Sequence, residues 1–104
     1  MKQGFDFSTS EILDWELEAV HQALMRQEII VTKHAFDAAD EENIPYTAIL
    51  EAVLVGLAVD KDLPHNSLGR KSGINFEHLL DGGRWIRVKV SWNGAYFVVT
   101  VHTV

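Results

Sequence analysis

The fold is decided by the last 21 residues, Arg84–Val104, which read RWIRVKVSWNGAYFVVTVHTV. Apolar and polar residues alternate on both sides of Asn93-Gly94, and such alternation is typical of strands with one buried face. The dipeptide Asn-Gly favours a two-residue type I′ turn, in which both central residues have positive φ. The stretch therefore predicts a hairpin of two strands, over residues 84–92 and 95–104.

The turn also predicts which residues share a face of this hairpin. If Trp92 opposes Ala95, the numbers of paired residues sum to 187. The predicted core face then carries Ile86, Val88, Val90, Trp92, Phe97, Val99 and Val101. The other face, which we name the open face because no predicted helix covers it, carries Trp85, Arg87, Lys89, Ser91, Tyr96, Val98, Thr100 and His102.

The first half of the chain predicts helices. Ser8 and Glu11 have the spacing of a capping box, and an apolar stripe continues from there, which predicts a helix over 9–27. Residues 28–31 include the β-branched run Ile29-Ile30-Val31 and predict a short strand or extended link. Thr32 is suited to cap a second helix over 33–43, and Pro45 ends it. A third helix is predicted over 46–55, with Gly56 as its C-cap glycine.

From residue 57 the apolar period changes to two, which predicts strands. A strand is predicted over 57–60, a mobile loop over 61–73 and another strand over 74–80, followed by a turn at Asp81-Gly82-Gly83. The predicted fold class is α+β, a single domain over 1–104 in which N-terminal helices pack on a C-terminal antiparallel β-meander.

Composition narrows the class of protein. The chain has no cysteine, which excludes disulfides and thiolate metal sites. Its longest apolar run, Ala52–Val59, is far shorter than the ~20 residues of a membrane span. Because the N-terminus also lacks the apolar core of a secretory signal, we expect a cytoplasmic protein that does not enter membranes.

Charge is divided unevenly along the chain, whose formal net charge is −6. Residues 1–52 hold three bases against eleven acids, and residues 53–104 hold six bases against four acids. The two halves either face different partners, or the acidic half is a solvated helical surface.

The side chains of the predicted open face suit a phosphodiester. Arg87 and Lys89 can neutralise a phosphate, and the imidazole of His102 can move a proton near neutral pH. Tyr96 adds a phenol, and the indole of Trp85 can stack on an unpaired base. An RNA substrate supplies its own nucleophile, the 2′-hydroxyl, so such a site requires no metal. The same residues also suit an ordinary solvated sheet face.

Other features are weaker candidates. His34 either takes part in catalysis or lies beside the Thr32 cap, and His65 and Arg70-Lys71 in the long loop either clamp a phosphate or are solvated. The histidines have no metal-ligand spacing, and no nucleotide-binding glycine motif is present, so we expect neither a metal nor a cofactor.

Two stretches carry a family resemblance. The first is Thr32–Ala35 (TKHA), followed by Asn43-Ile44 and the predicted helix before Gly56, and the second is the closing strand Phe97–His102 (FVVTVH). They resemble a family of small bacterial proteins similar to the RelE-like toxins, which include BrnT and MqsR. The resemblance covers about residues 18–104, and the order of predicted elements is similar to that superfamily.

The resemblance implies a RelE-like toxin of a toxin–antitoxin system, a metal-free endoribonuclease that cleaves RNA and pairs with an antitoxin protein. It implies no DNA partner for the isolated chain. His34 matches the family histidine, and His102 replaces the tyrosine of a terminal Thr-Val-Tyr. Ala38 and Glu42 stand where the family often has arginine, and the pI of about 5.2 is low for a protein that binds RNA.

These departures leave a second hypothesis beside the ribonuclease. The chain would be a non-catalytic interaction module of the same fold, with an acidic helical face at Asp40, Glu41 and Glu42 that docks a basic protein.

Overall fold

The computed structural model describes residues 2–104, and the helices of this part of the chain are α1 (Asp14–Met25), α2 (Lys33–Glu41) and α3 (Tyr46–Val55). Its strands are β1 (Ile29–Val31), β2 (Leu57–Asp62), β3 (Gly73–Leu79), β4 (Trp85–Trp92) and β5 (Tyr96–Thr103). The predicted α+β class is confirmed. No helix within residues 2–104 is long and apolar enough to cross a membrane.

The five strands form one mixed sheet in the order β1-β5-β4-β3-β2. Strands β2 to β5 are an antiparallel meander, as predicted. The expectation of a purely antiparallel sheet is wrong, because β1 joins the edge and runs parallel to β5, with Ile30 opposite Phe97. A parallel pair is possible there because a long connection that includes α2 and α3 joins β1 to β5.

All three helices pack on one face of this sheet. The core contains small residues of the helices, including Ala19, Ala35 and Ala52, which let the helix backbones approach the strands closely. The core also contains apolar side chains of the sheet: Ile74, Phe76, Ile86, Val88, Val90, Tyr96, Val98 and Val101. The opposite face of the sheet has no helix on it and is the open face.

The first helix begins later than predicted. Its N-cap is Leu13, and the N–H of Leu13 donates to the Glu16 side chain over 2.8 Å. The predicted capping box at Ser8 and Glu11 does not form, because the Ser8 hydroxyl donates to Asp6 instead. The two later helices agree with prediction within two residues, and the N–H of Ala35 donates to the hydroxyl of Thr32, which confirms that cap.

The register of the β4–β5 hairpin differs from the predicted one. Trp92 pairs with Tyr96 and Val90 with Val98, so the pair numbers near the turn sum to 188 and the loop has three residues, 93–95. Packing outweighs the local preference of Asn-Gly for a two-residue turn, because this register buries Tyr96 against Trp92, with ring centroids 4.7 Å apart.

A β-bulge at Val99 shifts the register once more. Lys89 pairs with Thr100 and Arg87 with His102, so Val99 is an extra residue between the two parts of the ladder. The two shifts exchange the predicted faces near the hairpin loop, where Tyr96 and Val98 lie in the core. The assignment of Phe97 and Val99 to the core face is therefore wrong, and both belong to the open face.

The N-terminal segment crosses the helical side of the molecule and joins both halves of the chain. Lys61 and Glu16 form a fully buried ion pair of 2.9 Å. The Lys61 ammonium also donates to the carbonyl oxygens of Asp6 and Glu11, each over 2.7 Å. Every acceptor around this ammonium comes from residues 6–16, so the segment before α1 is part of the fold.

Candidate functional site

A cleft of about 360 Å³ lies on the open face, between β3, β4, β5 and the loop over residues 63–72. The strands contribute alternate residues, since only every second side chain of a strand points to this face. The lining residues are Asp62, Arg70, Lys71, Asn75, Arg87, Lys89, Thr100 and His102. The cleft thus brings together five of the eight predicted site residues: Arg70, Lys71, Arg87, Lys89 and His102.

The loop above the cleft is tied to itself and to the sheet. The Asn66 side chain donates to the carbonyl oxygens of Leu63 and Arg70 and accepts from the N–H groups of Leu68 and Arg70. The ammonium of Lys89 donates to the carbonyl oxygen of Lys71 over 2.7 Å. These bonds position the loop cations over the sheet, while the side chains of Arg70 and Lys71 stay exposed.

Carboxylates on the same face hold the two strand cations. Arg87 donates to Asp60 and lies 3.3 Å from Glu77, which belongs to the neighbouring strand. Lys89 lies 2.9 Å from Asp62 and is itself buried. The amide of Asn75 donates to both Asp60 and Asp62, which fixes the two carboxylates in place. The cations of β4 are therefore rigidly oriented and largely neutralised.

The charge state of Asp62 follows from these contacts. Burial raises the pKa of Asp62, but the hydrogen bonds from Lys89 and Asn75 and the nearby charges of Lys89 and Arg70 outweigh it, so the pKa lies below its usual value. Asp62 is therefore an ionised partner for Lys89 and no source of protons near neutral pH.

The imidazole of the cleft belongs to His102. Its side chain is exposed, directly across the ladder from Arg87 on the next strand. Thr100 lies beside it, across from Lys89, and adds a hydroxyl to the wall of the cleft. One imidazole, a hydroxyl and four cations therefore surround a single concave site.

Tyr96 does not belong to this site, and its predicted place on the open face is wrong. The register of the hairpin turns it into the core, where its hydroxyl accepts from the N–H of Gly4 over 2.9 Å and donates to the Gly4 carbonyl oxygen. Burial raises the pKa of Tyr96, the charge of Glu16 adds to this, and the bond from Gly4 opposes it. The phenol is thus a neutral, structural group.

Two further predicted residues lie outside the cleft. His34 is exposed on α2, in the helical layer across the sheet from His102, so the structure does not bring the two imidazoles together. Trp85 lies on the open face two residues before Arg87 and is 42% exposed, but it does not line the cleft. His65 is exposed in the loop and does not line it either.

The sequence prediction missed the polar residues that hold the cations. Asp60 and Asp62 alternate along β2, and Asn75 and Glu77 alternate along β3, so a period of two was present in the sequence. Asp62 was missed because residues 61–73 were predicted to be a loop, whereas β2 continues to Asp62. Asp60, Asn75 and Glu77 lay within predicted strands, but the pairing of those strands with β4 was not predicted.

Comparisons of the chain with family models, curated proteins and solved structures gave no match. The function must therefore be inferred from the cleft itself.

Proposed function

We propose that this chain is a RelE-like endoribonuclease toxin that cleaves single-stranded RNA at the open-face cleft without a metal ion. The observation that carries the proposal is the convergence of Arg70, Lys71, Arg87, Lys89 and His102 on one cleft of about 360 Å³. Cations around a phosphate, with a proton carrier beside them, are what transesterification of RNA requires.

In the proposed reaction the 2′-oxygen attacks the adjacent phosphorus, and the bond from phosphorus to the 5′-oxygen breaks. His102 accepts the proton of the 2′-hydroxyl, and the 5′-oxygen takes a proton from water that enters the open cleft. The products are a 2′,3′-cyclic phosphate and a 5′-hydroxyl. Arg87 and the loop cations stabilise the charge that develops on the phosphate oxygens.

Phosphate binding in this site is an exchange of partners. Arg87 already contacts Asp60 and Glu77, both of which are partly exposed, so a phosphate can displace one carboxylate while the other remains. Arg70 and Lys71 are exposed and supply the attraction that brings the anion to the cleft. The proposal therefore predicts modest affinity that falls steeply with salt.

The test is cleavage of mixed-sequence single-stranded RNA in the presence of a chelator. His102→Gln should lower the rate by about 10²–10⁴-fold, the range for loss of a general acid or base. His34→Gln is the matched control, because that imidazole is also exposed but lies across the sheet. Loss of activity in both variants, or in neither, would contradict the assignment of the site, and products with a 3′-hydroxyl would contradict the reaction.

The second candidate is the non-catalytic interaction module, and one observation favours it. Both cations of β4 are already paired with carboxylates, as in a self-contained structural network. In this function α2 would dock a basic partner through Asp40 and Glu41, which are exposed. Glu42 contributes less than predicted, because its carboxylate accepts from the N–H of Thr103. This function would be selected if RNA, free or ribosome-bound, is not cleaved and Asp40→Asn weakens binding of a basic partner.

A further inference from the structure

Apolar side chains stand on the open face beside the cleft. Phe97 is half-buried and lies outside the residues that pack in the core, and Val99 is buried at 8% exposure although it is not part of the core cluster. Ile30 is the partner of Phe97 on β1 and is 48% exposed. Near the hairpin loop, the β5–β1 side of the open face is thus apolar, whereas the cleft beside it is charged.

Phe97 and Val99 form the floor of a second cavity, of about 270 Å³. Its walls are the end of the loop and the hairpin, and its lining residues are Lys71, Ser72, Ser91, Asn93, Phe97 and Val99. The Ser91 hydroxyl donates to the carbonyl oxygen of Ser72 over 2.6 Å, which holds the loop against the sheet at this point. Lys71 lines both this cavity and the cationic cleft.

We propose that this second cavity binds one unpaired nucleobase of the RNA whose phosphate occupies the cleft. The inference rests on the proposed function and adds the place where the protein recognises a base of the substrate. In RNA, a base is joined to its phosphate through one sugar. The two cavities are likewise adjacent, because Lys71 lines both. The ring of Phe97 supplies a stacking surface, as aromatic side chains do in proteins that bind single strands. The exposed amide of Asn93 can hydrogen-bond the edge of the base.

The size of the cavity argues for a flat ring as its occupant. A protein helix is about 10–12 Å across, so a cavity of about 270 Å³ is too small to hold one. The charge beside it indicates the rest of the ligand, since Lys71 and Arg70 carry exposed positive charge on the rim. An apolar floor with a cationic rim is complementary to a nucleotide.

The inference also changes which aromatic residue contacts RNA. Trp85 was predicted to stack on a base, but it lies at the far end of β4 and lines neither cavity. The three-residue hairpin loop turns Phe97 outward, and no alternation in the sequence indicates this.

The experiment measures binding of a short 2′-O-methyl RNA, which cannot be cleaved, and of the same oligonucleotide with one abasic sugar. The wild type should bind the intact oligonucleotide about 5- to 100-fold more tightly than the abasic one, as expected for one stacked base. Phe97→Ala should remove this difference. Trp85→Ala is the matched control, because it deletes an exposed aromatic of the same face and should keep the difference.

Each outcome can be separated from failure of the proposed function. Equal binding of the two oligonucleotides, with RNA cleavage intact, would overturn the base site and leave the ribonuclease standing. A difference that survives Phe97→Ala but not Trp85→Ala would also overturn it. If neither oligonucleotide binds and Phe97→Ala instead changes the sedimentation of the protein, the apolar patch is a contact between two copies of the chain. Circular dichroism of each variant confirms that it has folded.

Discussion

The guanidinium of Arg87 lies between Asp60 and Glu77, and this arrangement sets the strength of anion binding. Asp60→Asn should tighten binding of the uncleavable RNA about fivefold at low salt. The factor corresponds to about 1 kcal/mol for one unit charge at 4 Å in water. The effect should fade as salt rises, because screening weakens the contribution of exposed charges.

Asp81→Asn is the control for Asp60→Asn. It removes the same charge from an exposed turn between β3 and β4, outside the cleft. Equal tightening by both variants would mean that net charge, and not the release of Arg87, controls the binding. Titration at two salt concentrations distinguishes these outcomes.

The buried phenol of Tyr96 gives the protein a defined response to alkaline pH. Since burial raises its pKa above the ordinary value of 10.0, the unfolded chain ionises first, and stability that is complete below pH 10 is lost as pH rises further. Tyr96→Phe should lower the free energy of unfolding by about 1 kcal/mol at neutral pH, because the bonds with Gly4 are lost. Between pH 10 and 11, the free energy of unfolding of this variant should fall less than that of the wild type. Urea unfolding across this range measures both effects, and Tyr46→Phe, at an exposed tyrosine, should match the wild type.

At the scale of elements, Gly56 is the single residue that joins α3 to β2. It ends the helix as predicted, but its φ is −71°, so left-handed geometry is not the reason for glycine. A Cβ at this position would lie 2.2 Å from the Ala52 carbonyl oxygen and 2.8 Å from that of Glu77. The residue is glycine because two backbones need the space.

Gly56→Ala should therefore destabilise the protein by about 3 kcal/mol, the upper end of the usual cost of overpacking, since the contacted atoms are backbone. Gly69→Ala is the comparison. Its φ is +67° and an added Cβ meets no atom within 4 Å, so only strain of about 1 kcal/mol is expected. Thermal unfolding of the two variants in the reverse order would contradict the steric explanation.

Elements with a strong local signal were predictable from sequence. The Thr32 cap, Pro45 and the alternation in β4 place α2, α3 and the hairpin strands to within about two residues, as propensity and period allow. The hairpin register was not predictable, because the burial of Tyr96 against Trp92 and its bonds with Gly4 decide it, and Gly4 is distant in sequence.

The same reasoning explains which parts of the site were found. Arg87, Lys89 and His102 remained on one face because the bulge at Val99 adds a second shift before His102. Tyr96 lies before the bulge and was lost from the predicted site for that reason. The carboxylates on β2 and β3 were not predicted as part of the site, because the register between three strands cannot be derived from the sequence of any one of them.

At the scale of the whole molecule, the segment before α1 closes the fold although it lies outside the family resemblance. Gly4 satisfies the Tyr96 hydroxyl, Phe5 packs against the same ring at 5.5 Å, and Asp6 satisfies both Glu16 and Lys61. These contacts connect the first residues with β2 and β5, so the segment and the sheet should unfold together.

Deletion of residues 2–7 should lower the free energy of unfolding by about 3–5 kcal/mol, because several buried polar groups each lose a partner at about 1–3 kcal/mol. Deletion of residues 2–3 alone is the control, since the buried bonds of this segment begin at Gly4. Urea unfolding of both variants measures the difference. Equal stability of the two variants would show that residues 4–7 do not stabilise the fold, although they pack against it.

The bulge at Val99 has a consequence for how this sheet tolerates changes of length. Pairs on one side of Val99 sum to 188 and pairs on the other side sum to 189, so loss of that single codon would leave one uninterrupted ladder. Every other side chain of β5 would keep its face, including Tyr96 in the core and His102 in the cleft. Val99 is, in geometric terms, an insertion that the strand carries without losing its alignment, and its side chain forms part of the floor of the apolar cavity.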